Sequence, residues 1–296
     1  MAMVWWQRTR NDVLAARVAR PTDRPALADL LSRAVRVFGT LAVEEHAALL
    51  NSGISSFGLI GDRPVAFLGL HQRAAADGER WADVSLVASV NGGVDRALGT
   101  LLAGSLPALR ARQVTGLICV TGDLWLHNAL LAAGFVEADR VITYVRKDRP
   151  VLTQTRQPSV LRPAGPAEAN TVLVLNAAAF APIWRYDDAT TLSWLLTADH
   201  SMLAEVEGRA VAFALTSCSP GDGYAQLIRI GTRPQWHNHG IGRQLVVDAI
   251  DFGHKSRAAG VALNTQLSNA TSRHLYEALG FQVVGPALDL LLYHIA

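Results

Sequence analysis

The sequence predicts an α+β fold of mixed α/β content, laid down twice along the chain. Three observations carry this reading. Strand-like and helix-like runs follow one another in the same order in each half. Landmarks recur at nearly constant separation: Arg63-Pro64-Val65-Ala66-Phe67 against Arg209-Ala210-Val211-Ala212-Phe213 and Gly134-Phe135 against Gly280-Phe281, both offset by 146, and Arg20-Pro21 against Arg162-Pro163, offset by 142. One offset shared by separate segments points to duplication of a whole domain rather than of a short motif. Finally, a strand-like run ending at Thr232 turns into a helix-like run through the pair Gly240 and Gly242.

The halves divide at 150–158, which holds Pro150, Thr153, Gln154 and Pro158 with little apolar periodicity and reads as a linker. This leaves one domain over 1–149 and a second over 159–296. In the second, a strand is expected at 159–162 and helices over 167–180 and 188–196. Strands follow at 201–207, 209–217 and 223–232. A helix over 242–259 rests on Leu245, Ala249 and Phe252, which share a face at helical spacing. It leads to a strand at 261–266, a helix over 270–279 and strands at 281–284 and 289–294. Gly260 and Gly280 stand where helices usually stop.

Composition narrows the class of function. Half of the 296 residues are apolar and 18% are charged, a balance that supports packed cores rather than disorder. The formal net charge is +2 and no basic block stands out, so nucleic acid is not the expected partner. Only Lys147 and Lys255 are lysines, which suits a G+C-rich genome. Cys119 and Cys218 are too few for a disulfide framework or a zinc site and read as buried, reduced thiols. No apolar run reaches membrane-span length, and 1–10 has Trp5 and Trp6 but no continuous apolar stretch of a signal peptide. The expected location is cytoplasmic, with no membrane partner.

The chemistry concentrates at 235–243, Gln-Trp-His-Asn-His-Gly-Ile-Gly-Arg. Glycines at a strand-to-helix turn let main-chain N–H groups converge on an anion with no Cβ in the way. The helix start adds unpaired N–H groups and the positive end of its dipole. Arg243, in the first turn, is placed either to touch phosphate or to face solvent. Further on, Asn269 precedes a helix that it can cap. Tyr276 lies two turns along nearly the same face, and Gly280-Phe281 closes the helix. The ordinary fate of a lone helical tyrosine is to pack in the core.

Taken together, these segments resemble the GNAT superfamily of N-acetyltransferases, closely over 223–284 and loosely over the rest of the second half. The family's loop reads Gln/Arg-x-x-Gly-x-Gly/Ala, matched here by 237–242, and its later segment reads Asn-x-x-Ala/Ser-x-x-x-Tyr-x-x-x-Gly-Phe, matched by Asn269, Ser272, Tyr276, Gly280 and Phe281. Both motifs in the right order are far more specific than a glycine pair alone. One departure is His237, which stands at the usual Gln/Arg position. The resemblance implies tandem domains, each a mixed, largely antiparallel twisted sheet flanked by helices. It implies acetyl-CoA (coenzyme A) as cofactor. The pyrophosphate would lie on His237, Asn238, His239, Gly240, Ile241, Gly242 and Arg243, and the thioester arm on the backbone of Ile230, Gly231 and Thr232. Tyr276 and Asn269 would be the catalytic residues, Tyr276 protonating the departing thiolate and Asn269 helping to hold the pantetheine or the thiolate region, with Ser272 a further cofactor contact. An amine, small molecule or peptide terminus, would attack directly.

The family's usual acid on the strand before the loop is missing, since Ile228 and Arg229 stand there. A base must come from water, a carbonyl or another segment, Asp187 and Asp188 being candidates. Trp184, Tyr186 and Asp187 lie in the segment that commonly lines the acceptor pocket. A homodimer is common in the family. Two alternatives remain: a mycothiol-synthase-like tandem acetyltransferase, faintly echoed in 176–180, and an acyl-CoA-binding module without turnover. In the first half, Leu130 falls at the position of Tyr276, Asp123 at that of Asn269 and Asp95 near that of Gly242. A carboxylate beside pyrophosphate is unfavourable, so this copy is expected to keep the fold and lose the cofactor. Trp125 and His127 lie near its degenerate helix.

Overall fold

A computed structural model of the protein describes residues 14–39, 43–73, 78–90, 93–147, 159–218 and 223–295. The expected linker at 150–158 and the tryptophan pair near the start lie outside these residues. In chain order the elements are β1 (Leu14–Val18), α1 (Arg24–Arg33), β2 (Arg36–Phe38), α2 (Val43–Asn51), β3 (Ser56–Ile60), β4 (Arg63–Gln72), β5 (Trp81–Ser89), α3 (Val94–Ala111), β6 (Gly116–Thr121), α4 (Leu124–Ala132) and β7 (Val136–Lys147). They continue as β8 (Val160–Pro163), α5 (Ala169–Ala179), α6 (Asp188–Thr197), β9 (His200–Val206), β10 (Arg209–Cys218), β11 (Tyr224–Thr232), α7 (Ile241–Lys255), β12 (Gly260–Gln266), α8 (Ala270–Ala278) and β13 (Gln282–His294).

The chain forms two compact units, one of Met1–Arg73, Arg80–Ala138 and Asp289–Ala296, the other of Ala74–Glu79 and Asp139–Leu288. In the first, the strand order is β1-β3-β4-β5-β6, followed by the end of β13, with Leu291 opposite Cys119. In the second it is β8-β9-β10-β11-β12, followed by the body of β7, with Tyr144 opposite Leu263. Each unit therefore closes its sheet with the last strand encoded by the other half of the sequence. Among the described residues, only β5–β6 and β11–β12 are registered in parallel. The expected mixed, largely antiparallel sheet is present in both.

Period-two alternation puts a core on each face of each sheet. On β10, Ala212 and Ala214 face α7 and α8, while Phe213 and Leu215 face α5 and α6. On β4, Ala66, Leu68 and Leu70 pack under α3, and Phe67 packs with α1 and α2. Helix ends repeat as well. α4 and α8 stop at Gly134 and Gly280, both left-handed, with Phe135 N and Phe281 N each bonded at 3.0 Å to the carbonyls of Leu130 and Tyr276.

Two expectations are corrected here. α7 ends at Lys255, four residues short, because Arg257 takes the left-handed conformation and Ala258 N caps Gly253 O at 3.0 Å; Gly260 is the start of β12 instead. The strands expected at 281–284 and 289–294 are one strand that continues through Gly285, at φ +66°. Gly285-Pro286 reads locally as a turn, yet the ladder carries the chain onward. Of the two cysteines, Cys119 is buried and Cys218 only half-buried.

Candidate active site

In the second unit, β11 and β12 are registered only from Tyr224 opposite Gly260 to Gln226 opposite Ala262. Beyond that the strands part. The far edge of β11 stays bonded to β10 as far as Thr232 opposite Ala212, and the far edge of β12 stays bonded to β7 as far as Gln266 opposite Val141. A bulge between Leu215 and Thr216 sets Ile228 as the extra residue on β11, and bulges sharpen strand twist. The facing edge of 227–232 thus presents main-chain donors and acceptors to a groove, the geometry that takes up an extended ligand as an added strand.

That edge leads into the loop. Gly240 caps α7 in the left-handed conformation, φ +81°, and Asn238 is also left-handed, φ +62°. The loop braces itself through side chains. His237 Nε2 donates to Thr232 O at 3.0 Å, and His239 Nδ1 donates to His237 O at 2.7 Å while its ring meets Trp236 edge-on. Among the described residues, no hydrogen bond uses the main-chain amides of 238–243. No acidic residue lies in the first turn of α7, and Arg243 Nε is buried without a partner. Unspent amides at a helix start and an orphaned guanidinium N–H fit an anion. His237, expected as a side-chain contact, has its Nε2 committed to the loop.

Gly231 packs the sheet directly onto the end of α5: a Cβ there would stand 2.9 Å from Ala179 Cβ and 3.0 Å from the Phe180 ring. At Gly242 a Cβ would meet only Leu275 and Thr232 at ordinary contact distance, so the loop tolerates the atom, and what lies beyond it decides the effect of a side chain.

On α8, Asn269 Oδ1 accepts from Ser272 N at 3.2 Å, an N-cap. Tyr276 is 4% exposed, its ring 5.9 Å from that of Tyr144 and 5.8 Å from that of Phe281. Burial pushes its hydroxyl up to about 12, against a smaller opposing effect of its hydrogen bond with Ser272. Asn269, Ser272 and Tyr276 therefore form a linked column on one face of α8. Tyr144 was not found from sequence. Its hydroxyl donates to Glu277 Oε1 at 2.6 Å, and burial, reinforced by that carboxylate, holds it above the ordinary phenol range. It belongs to the first half of the sequence and reaches this unit only through β7.

The segment 180–187 is anchored by Arg229. Its Nε donates to Asn176 Oδ1 at 3.0 Å, its terminal nitrogen donates to Trp184 O at 2.8 Å, and the guanidinium lies 3.4 Å from the centre of the Phe180 ring. Where an acid was sought, a cation holds this segment in place. Tyr186 is 38% exposed and meets Trp194 edge-on at 4.8 Å. Asp187 caps α6 by accepting from Thr190 N at 2.6 Å, and Asp188 is exposed.

An α+β unit with a parted parallel pair running into an amide-lined helix start is the class that fold and loop define. Residues 172–281, within the second half of this chain, match the Acetyltransferase (GNAT) family. The chain is 29% identical to a mycothiol acetyltransferase of Acidothermus cellulolyticus, over 63% of this chain and 64% of that protein. It is 27% identical to one of Tsukamurella paurometabola, over 53% and 63%. The matches thus span slightly less than two-thirds of these relatives' own lengths. A [ribosomal protein bS18]-alanine N-acetyltransferase of Escherichia coli K12 is 36% identical over 25% of this chain and 49% of its own. Among solved structures, a GCN5-related N-acetyltransferase from Sphaerobacter thermophilus has 17% identity over 97% of both chains, with a TM-score of 0.62. A tandem GNAT protein from the clavulanic acid biosynthesis pathway has 17% identity over 96% of this chain and 99% of its own, with a TM-score of 0.60. At such identities the likeness is one of fold, and it is a tandem fold.

Proposed function

We propose that the second unit is an acetyl-CoA-dependent N-acetyltransferase acting on a primary amine in a ternary complex. The observation that carries this reading is the free edge of β11 ending at a set of unspent amides with an orphaned Arg243 Nε. The amides of 238–243 and Arg243 would hold the pyrophosphate, and the backbone of Ile230, Gly231 and Thr232 the arm. The bound thioester supplies an activated acetyl carbonyl. The site's own work is then to hold an amine against it and to stabilise charge as it leaves on sulfur. The catalytic domain is 159–288 of the sequence, completed by the strand at 139–147.

Tyr276 is the proposed donor to the departing sulfur. With its hydroxyl raised to about 12, full transfer to a thiolate of pKa about 8.5 is uphill by roughly 5 kcal/mol. Its role is therefore hydrogen-bond donation to developing charge, with Ser272 and Asn269 holding the column. Arg229 fixes the segment of Trp184, Tyr186 and Asp187 as the acceptor wall, and its fixed charge leaves the base to solvent or to another group. A second reading, a mycothiol-synthase-like tandem acetyltransferase, is favoured by a match covering 63% of the chain, more than either half holds. The acceptor would then be a small amine.

Thiol release from acetyl-CoA with a panel of amines tests the proposal. Tyr276→Phe should lower kcat about 10- to 100-fold, the scale of a lost hydrogen bond to a charged group, with affinity for acetyl-CoA within about twofold. Unchanged kcat would remove Tyr276 from the chemistry. Binding without release for any amine would instead support a non-catalytic acyl-CoA module.

A further inference from the structure

The first unit repeats the parted pair. β5 and β6 are registered only from Trp81 opposite Gly116 to Asp83 opposite Ile118. A bulge between Gly69 and Leu70 matches that between Leu215 and Thr216. Ser89 faces Ala66 as Thr232 faces Ala212, so 87–89 are the counterparts of 230–232. A strand has two in-plane edges. β4 holds one edge of 87–89. On the other, which is open in the second unit, lies β2, antiparallel, with Arg36 opposite Ser89, Val37 opposite Ala88 and Phe38 opposite Val87. Val35 N donates to Ser89 O at 2.9 Å. The next residue after β2 is Gly39, at φ +86°, where a Cβ would collide with the carbonyl oxygen of Ser85. The Arg36 guanidinium lies 5.8 Å from the Trp125 ring.

We infer that β2 is a built-in occupant of this edge: the first unit fills in cis the strand position that an acyl-CoA arm is proposed to take on β11, so that the chain carries one acyl-CoA site. The inference rests on the reading of the second unit given under Proposed function, and two further differences agree with it. Gly93 caps α3 at φ −89°, not left-handed, and Asp95 stands in the first turn where α7 has Gly242. Leu130, fully buried, replaces the phenol. The edge has lost its vacancy, its left-handed helix cap and its phenol together. Release of β2 alone would still leave a carboxylate at the helix start.

Two measurements on the intact chain test this. The first needs no ligand. In amide exchange followed by NMR, the Val35 amide should be slow. Gly39→Val, which drives the end of β2 off Ser85, should speed it at least about tenfold while leaving 230–232 unchanged. A Val35 amide exchanging at the rate of an open loop in the wild type overturns the inference. The second is equilibrium dialysis with coenzyme A, expected to give one equivalent per chain, with exchange slowed at 238–243 and unaltered at 87–90. Two equivalents, or slowing at 87–90, overturns the inference. No binding at all would sink the reading of the second unit, and the Val35 amide would still decide whether β2 holds the edge.

Discussion

Burial raises the Tyr276 hydroxyl from 10.0 to about 12, and linkage turns that shift into a stability statement. The neutral phenol is favoured in the folded state, so its contribution is complete below pH 10 and is lost as pH rises from 10 towards 12. Denaturant unfolding of the wild type and Tyr276→Phe across this window should show the wild type losing up to roughly 3 kcal/mol relative to the variant. Parallel pH profiles would mean that the phenol is open to water. At this scale the sequence was informative wherever the signal is local. Asn269 as a cap and Gly280 as a left-handed stop follow from positions a few residues apart. The burial of Tyr276 follows the ordinary fate of a lone helical tyrosine, but its ring contact with Tyr144 was not legible, because that residue lies 132 positions earlier in the chain.

β11 joins two demands: one face must pack on α5, and one edge must stay unpaired beyond Gln226. Gly231 meets the first by having no side chain. Gly231→Ala should lower stability by about 1–3 kcal/mol through overpacking against Ala179, Phe180 and Phe213, read as a lower melting temperature. An unchanged melting temperature would mean that α5 sits farther from the strand. The alternation of β10 and the glycine loop announced their elements plainly. The end of α7 did not, because its left-handed residue is Arg257, a type that gives no such signal. The course of β13 through Gly285-Pro286 was hidden in the same way, with a turn-like dipeptide overruled by the ladder.

Over the whole molecule, duplication was readable from a shared offset, but the exchange of final strands was not. Each last strand has the same apolar pattern whichever β6-like edge receives it, so a linear reading assigns it to its own half. The consequence is specific. Removal of residues 289–296 deletes the partner of β6, including buried Leu290 and Leu291, and should destabilise the first unit by several kcal/mol while coenzyme A binding at the second survives. Proteolysis confined to 14–138 would report it; loss of the second unit first would refute the exchange.

The claim on which the functional account rests is that the amides of 238–243 receive a doubly phosphorylated linker. Amide exchange of the intact chain with and without saturating coenzyme A addresses it directly. The account predicts slowing at Asn238, His239, Gly240, Ile241, Gly242 and Arg243, and its absence in Gly242→Asp. Bound coenzyme A that leaves these amides exchanging as in the free protein would contradict it.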